Sequence, residues 1–255
     1  MNTPADHKVE ATRCLARSIL WQAASLGLRR PDRAVTARLA TREGIAALAE
    51  AAATAHAPLV TRIEALATAS APTEQTFFAI FGHTARGTVP PYETEWGRDD
   101  LYWKPHILAN LGAFLEAFGL TLNRERHERV DHLSCEAELL AFLLARRARA
   151  LDDGDGEAAE STARAERLLL RDHLARFVPA FARSLAREDK DGFYGRLGDF
   201  LYDLVEAECA LAQVPVGSPT LSLRPTDFDD EELTCGTGNE LIQIQSSMSP
   251  QEAKP

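Results

Sequence analysis

The stretch Asp131–Arg149, DHLSCEAELLAFLLARRAR, decides the fold. Between Leu133 and Leu144 the apolar side chains of Leu133, Leu139, Leu140, Phe142, Leu143 and Leu144 fall on nearly every side of a 3.6-residue period. A helix that is apolar all round must be covered all round, so it is expected at the centre of a bundle. Asp131 can cap its start, or His132 can hydrogen-bond a neighbouring loop there. Arg146, Arg147 and Arg149 return it to solvent at the carboxyl end, where cations are favoured.

Outward from this centre, the rest of the chain supplies helices to cover it. Lys8–Leu28 repeats Leu15, Ile19, Ala23 and Leu26 at helical spacing. Asp32 caps a second run through Val35, Leu39, Ile45 and Leu48 to His56, with a break expected at Gly44. Leu59, Ile63 and Leu66 form one face of Pro58–Ala69, and Thr73 caps the helix that carries Phe77 and Phe81. Pro105 opens a helix through Ile107, Leu111, Phe114 and Phe118 that stops at Gly119. After the break at Asp152–Gly156 come Ala158–His173 and Leu174–Leu185, with a kink or restart at Pro179. A last stripe runs through Leu197, Phe200, Leu201, Leu204, Val205 and Leu211. Neither strand alternation nor a repeat emerges, so the fold class is all-α, a single bundle of roughly nine to eleven helices. The pattern ends near Gln213, which predicts a helical domain over 1–213 and a flexible acidic tail over 214–255. Leu241, Ile242 and Ile244 form a small apolar cluster in that tail.

A formal charge of −10 over 255 residues, with no basic patch, excludes a nucleic-acid partner. Much of the excess is local, because Asp227, Asp229, Asp230, Glu231, Glu232, Glu240 and Glu252 face only Lys254 near the end of the chain. No run reaches the ~20 apolar residues of a membrane span, and Met1–Glu10 lacks the apolar segment of a secretory signal; a cytoplasmic location without membrane insertion is expected. Cys14, Cys135, Cys209 and Cys235 are too scattered for a disulfide framework or a zinc module.

Chemistry is sought where the helical pattern fails. In Phe77–Trp96, FFAIFGHTARGTVPPYETEW, Gly82, Gly87, Pro90 and Pro91 forbid a continued helix. The resulting loop, His83–Lys104, carries Tyr92, Glu93, Glu95, Trp96, Tyr102 and Trp103. A long loop rich in aromatic and acidic groups is expected to contact another molecule. Catalytic patterns are sparse. No GxxxxGK or GxGxxG occurs, and CGTGNE at Cys235 lacks a preceding strand. DDGDG at Asp152 does not meet the calcium-loop pattern. His132 and Cys135 share a helix face, but a small cysteine in the core explains Cys135 more simply. Asp131, His132, Glu136 and Glu138 crowd one segment and form the alternative reading, a helical-bundle metalloprotein, although Glu-x-x-His pairs on two core helices are missing. Glu125, His127 and Glu128 lie in a polar turn.

Taken together, these motifs resemble the TorD/DmsD/NarJ family of molybdoenzyme-specific chaperones, the redox enzyme maturation proteins. The resemblance rests on Phe77–Phe81, then PPYETEW at Pro90–Trp96, then DHLSCEAELLAFL at Asp131–Leu143. It extends to HLARFVPAFARSL at His173–Leu185 and FYGRLGDFLYDLVEAE at Phe193–Glu208. It implies an all-helical, non-enzymatic protein that binds the twin-arginine signal peptide and the apo form of a molybdopterin-dependent catalytic subunit. Such a protein assists cofactor insertion and delays export. It also implies a monomer or a domain-swapped dimer with no cofactor of its own, and leaves room for transient association with the molybdenum cofactor or a nucleotide. Carried over by motif, the signal-peptide-binding residues are Phe77, Ile80, Phe81, Pro91, Tyr92, Asp131 and His132, with Glu93, Trp96 and Glu136 added. Tyr92 stands where some members have tryptophan, and the acidic tail is not a shared feature.

The chemistry of such a ligand suits these residue types. Two adjacent guanidinium groups ahead of an apolar stretch call for carboxylates beside an apolar groove. Glu93, Glu95, Asp131 and Glu136 are expected to supply the charge. Phe77, Phe81, Tyr92 and Trp96 would supply the groove and cation–π faces.

Overall fold

A computed structural model describes residues 4–82, 86–97, 103–123 and 128–225. Ten α-helices run through them: α1 (Pro4–Gly27), α2 (Arg33–Leu39), α3 (Arg42–Ala55), α4 (Val60–Thr68), α5 (Glu74–Phe81), α6 (Trp103–Ala117), α7 (Leu133–Asp152), α8 (Gly156–Leu169), α9 (Ala175–Glu188) and α10 (Phe193–Ala212). Among the described residues there is no strand, only isolated bridges from Tyr92 to His132 and from Trp96 to Leu223. No helix among them is long and apolar enough to cross a membrane.

The apolar circumference of α7 does what its sequence requires. Leu133, Leu139, Leu140, Leu143 and Leu144 are all buried in the main core. Truncating one such leucine to alanine costs roughly 2–5 kcal/mol. Helix α1 lies along α7, and the Ser18 hydroxyl donates to the Ala141 carbonyl at 2.7 Å. The buried face of α1 is not the one that Leu15 and Ile19 mark. Ala11, Cys14, Leu20, Trp21, Ala24 and Leu28 face inward, whereas Leu15 and Ile19 are 45% and 42% exposed. Small side chains, Ala11, Cys14 and Ser18 against Ala141 and Ala148, let the two backbones approach, while Leu20, Trp21 and Leu28 fill the main core.

Local signals set most boundaries. Asp32 Oδ1 accepts from Val35 N, Thr41 Oγ1 from Gly44 N and Thr73 Oγ1 from Thr76 N, so each caps the helix that follows it. The break between α2 and α3 therefore falls at Thr41, and Gly44 lies inside the first turn of α3. A buried ion pair ties the first and last of these helices together. Arg17 of α1 donates to Glu208 of α10 at 2.9 Å, and His56 Nε2 reaches the same carboxylate at 2.9 Å.

Helices α8 and α9 are joined by one π turn, Leu170–Leu174, so the irregularity expected at Pro179 lies one turn earlier. Pro179 stays inside α9, where its missing N–H leaves the Ala175 carbonyl without a helical donor. Gly217 N donates to that carbonyl at 2.8 Å. Residues 214–224 thus pack on the body, contrary to a tail beginning at 214. Val214 is buried, Ser222 O accepts from Gly97 N, and Arg224 N donates to Glu95 O. The compact unit ends at Arg224. Most of the acidic segment, with Leu241, Ile242 and Ile244, lies outside the described residues, as do Glu125, His127 and Tyr102.

Candidate functional site

The PPYETEW segment closes over the amino end of α7. Gly82, at φ 87°, ends α5, and the chain doubles back so that Val89 N donates to Ile80 O at 3.1 Å. At Gly87 the backbones approach so closely that a Cβ would sit 2.5 Å from the Ile80 carbonyl oxygen, so only glycine fits. Glu93–Glu95 then form one 3₁₀ turn, and the buried Trp96 indole donates to Pro90 O at 2.9 Å. Leu133 N donates to Pro91 O at 2.8 Å and Glu93 N to Asp131 O at 2.9 Å. The loop therefore satisfies a backbone donor that the first turn of α7 leaves open.

His132, not Asp131, is the side-chain cap of α7, accepting from Ser134 N at 3.0 Å through Nδ1. Burial, with the nearby Arg29 and Arg129 charges, lowers its pKa to about 3. It is neutral at pH 7, so its 3.8 Å approach to Glu128 is not an ion pair. The Tyr92 ring meets His132 edge-on at 5.1 Å, and the Arg129 guanidinium lies 4.6 Å over the same ring. Asp131 is fully buried, accepting from the Thr94 hydroxyl at 2.7 Å and from Arg129 at 2.7 and 3.0 Å.

Beneath the loop lies a second polar group that the sequence did not announce. Glu93 Oε2 is 2.7 Å from His173 Nδ1, and His173 Nε2 is 2.7 Å from Asn110 Oδ1. Glu136 faces the same cluster, 1% exposed, with neither carboxylate oxygen hydrogen-bonded. Burial, then the Glu93 and Asp131 charges, push its pKa well above the usual carboxylate range. His173 was legible only as one histidine in the apolar HLARFVPAF run, and a lone histidine gives no partner.

The candidate residues separate by exposure. Pro91, Tyr92, Glu93, Trp96, Asp131, His132 and Glu136 converge on the start of α7. Ile80 and Phe81 are core residues, and the Phe81 ring packs on Phe181 and Tyr194. Phe181 also meets Trp96. Only Phe77 and Tyr92 of the set are partly exposed. The carboxylates of Glu93, Asp131 and Glu136, expected at a surface groove, are internal. The remaining one, Glu95, is partly exposed with Arg86 3.6 Å away. Nor do Asp131, His132, Glu136 and Glu138 form a metal set, because Asp131 is held by Arg129 and the exposed Glu138 is paired with Arg29. The Cys135 thiol is pushed up to about 11 by burial and the Glu128 charge, and His132 Nδ1 is committed to Ser134, so the pair is not an activated nucleophile.

A solvent-facing feature lies next to this internal network. An open groove of about 950 Å³ runs beside α6, lined by Leu115, Leu120, Leu122, Glu116 and Glu128 among others. Glu128 joins groove to loop: the Tyr92 hydroxyl donates to it at 3.4 Å. Burial and the Glu128 charge raise the Tyr92 pKa to about 12, so that hydroxyl remains a donor.

A family model described as the nitrate reductase delta subunit matches residues 45–183, from α3 into α9 and across the whole site. The chain is similar to a selenate reductase assembly chaperone protein of Thauera selenatis, 39% identical over 122 residues, which are 48% of this chain and 60% of that one. It is likewise similar to a chlorate reductase assembly chaperone protein of Ideonella dechloratans, 39% identical over 113 residues, 44% and 53% of the two chains. The chaperone protein TorD of Photobacterium profundum is 26% identical over 118 residues, 46% and 53% of the two chains. The chain thus spans between half and two thirds of the length of these relatives. On the family match over more than half of its residues, the chain belongs to the nitrate reductase delta subunit family, the TorD/NarJ family of molybdoenzyme chaperones.

Proposed function

We propose that this protein is an assembly chaperone that binds the precursor of a molybdenum-dependent reductase, including its twin-arginine signal peptide, in the cytoplasm before export. It acts by binding and holding, without catalysis of its own. The observation that carries the reading is the groove beside α6, where Leu115, Leu120 and Leu122 lie with Glu116 and Glu128. A signal peptide offers the complement, paired guanidinium groups followed by an apolar helix-forming stretch. Guanidinium groups favour carboxylates for bidentate hydrogen bonds, and an apolar helical segment favours a groove. The family match and the relatives' names support the chaperone role, and two of those names suggest a client among oxyanion reductases.

In this reading the candidate residues divide their work. Glu116 and Glu128 meet the arginines, while Tyr92 and Phe77 contribute partly exposed aromatic surface. Asp131, Arg129 and Thr94 fix the loop that presents Tyr92. Glu93, Trp96, Asp131, His132 and Glu136 therefore act through position and not through contact. Co-expression with the native reductase subunit tests the role. The subunit with its signal peptide is expected to co-purify, and a form lacking that peptide is expected to bind more weakly. Equal recovery of the two forms would remove the signal peptide from the proposal.

A further inference from the structure

We propose that Glu93, Glu136 and His173 bind one divalent transition-metal ion inside the helical domain, a site separate from the groove beside α6. One ligand atom from each of the three lies within 4.8 Å of the others, and all three residues are buried. Tetrahedral coordination with bonds of 2.0–2.2 Å places ligand atoms about 3.4 Å apart. The three side chains need only close slightly around an ion. A cluster of this kind carries weight because of Glu136. A buried carboxylate with no hydrogen bond at either oxygen is costly, and native proteins rarely keep one without a partner. Glu93 Oε1, in the same cluster, also lacks a hydrogen bond.

The surroundings fit a metal-ligating imidazole. Asn110 Oδ1, 2.7 Å from His173 Nε2, is placed to accept that N–H, which leaves the Nδ1 lone pair directed at the carboxylates. Ligating histidines are commonly oriented in this way by a carbonyl on the second nitrogen. The three ligands come from separate elements, the 3₁₀ turn of the loop, the first turn of α7 and the π turn before α9. Single π turns recur at functional sites because they redirect a side chain that a regular helix would place elsewhere. Two carboxylates and a neutral imidazole sum to the charge that a divalent ion cancels, and the N/O donor set suits zinc, iron or manganese. The cluster meets solvent at Arg176, which is exposed, stacks on Trp103 at 3.9 Å and lies 3.8 Å from Glu93 Oε1. That edge is where an ion would enter.

The test is equilibrium dialysis and titration calorimetry of the full chain, stripped with chelator, against Zn²⁺ and Mn²⁺. One equivalent of at least one ion is expected, with a rise in melting temperature. Glu136→Gln and His173→Gln are expected to abolish it, and Asn110→Ala to weaken it by about 10- to 100-fold. If a ligand variant does not fold, the wild type and Asn110→Ala decide. No saturable uptake by the wild type, or uptake that these substitutions leave unchanged, overturns the site and leaves Glu136 as a buried protonated acid. Since no client is present, neither result bears on the chaperone role.

Discussion

Glu93 Oε2 lies 2.7 Å from His173 Nδ1, joining the loop over α7 to the π turn between α8 and α9. The contact is buried on both sides, so it is less screened than a surface pair. In metal-stripped protein, His173→Leu would leave Glu93 beside the unpartnered Glu136. Leaving a buried hydrogen-bonding group without its partner costs about 1–3 kcal/mol. Urea unfolding is expected to show a loss of that size. A loss below about 1 kcal/mol, within the range of exposed pairs, would mean that this contact does not hold the loop.

His132 should give the protein an acid sensitivity that begins close to neutrality. Its folded pKa of about 3 lies below the ordinary 6.5, so between these values the unfolded chain binds a proton that the folded chain refuses. Stability is therefore full above about pH 6.5 and declines as pH falls toward 3. His132→Asn, which can still cap α7, is expected to flatten the decline between pH 6.5 and 4.5. An unchanged slope in denaturant titrations would contradict the burial of a neutral imidazole there.

Glu208 acts in a lower window. Burial alone would raise its carboxyl, but Arg17 and His56 together bring it down to about 2 from 4.5. Its contribution is present above pH 4.5 and is lost as pH falls through 2. The size is on the order of 3 kcal/mol. Glu208→Gln is expected to cost stability at pH 7 and to reduce the pH dependence below 4.5. Between pH 6.5 and 4.5 His132 changes and Glu208 does not, so Glu208→Gln is expected to leave the slope there unaltered and to change it only below 4.5.

The segment from Val214 to Arg224 is expected to behave as part of the domain. Deletion of residues after Gln213 removes the donor to Ala175 O and the bonds to Gly97 and Glu95. Deletion after Pro225 leaves them all. The shorter chain is expected to melt several degrees lower, since about 1 kcal/mol shifts a domain of this size by roughly 2–4 °C. Equal melting temperatures would place the boundary back at 213.

How far the sequence was legible follows from what kind of signal each feature leaves. The all-α class, the central α7 and the caps at Asp32 and Thr73 depend on local periodicity and local hydrogen bonds, and they were readable. The loop was legible as a break, from Gly82, Gly87, Pro90 and Pro91. Its burial was not, because acidic residues ordinarily read as exposed, and Glu93, Asp131 and Glu136 become internal only through contacts made across the fold. The partners His173 and Asn110 stand 80 and 63 residues from their hydrogen-bonded mates, a separation that no periodic pattern encodes. The same applies to Gly217, whose role depends on the carbonyl freed by Pro179. On α1 the stripe through Leu15 and Ile19 misled, since the helix turns Ala11, Cys14, Leu20, Trp21 and Ala24 inward and leaves those two outside.

We propose that the groove beside α6 receives a twin-arginine signal peptide through Glu116 and Glu128. The most direct measurement is fluorescence anisotropy of the labelled signal peptide of the native reductase, titrated with the wild type and with Glu116→Gln/Glu128→Gln. Saturable binding is expected that weakens at least about tenfold in the double variant, near 1.4 kcal/mol, and that falls as salt rises. Binding of equal strength to both proteins, or binding indifferent to replacement of the two peptide arginines by glutamine, would contradict it.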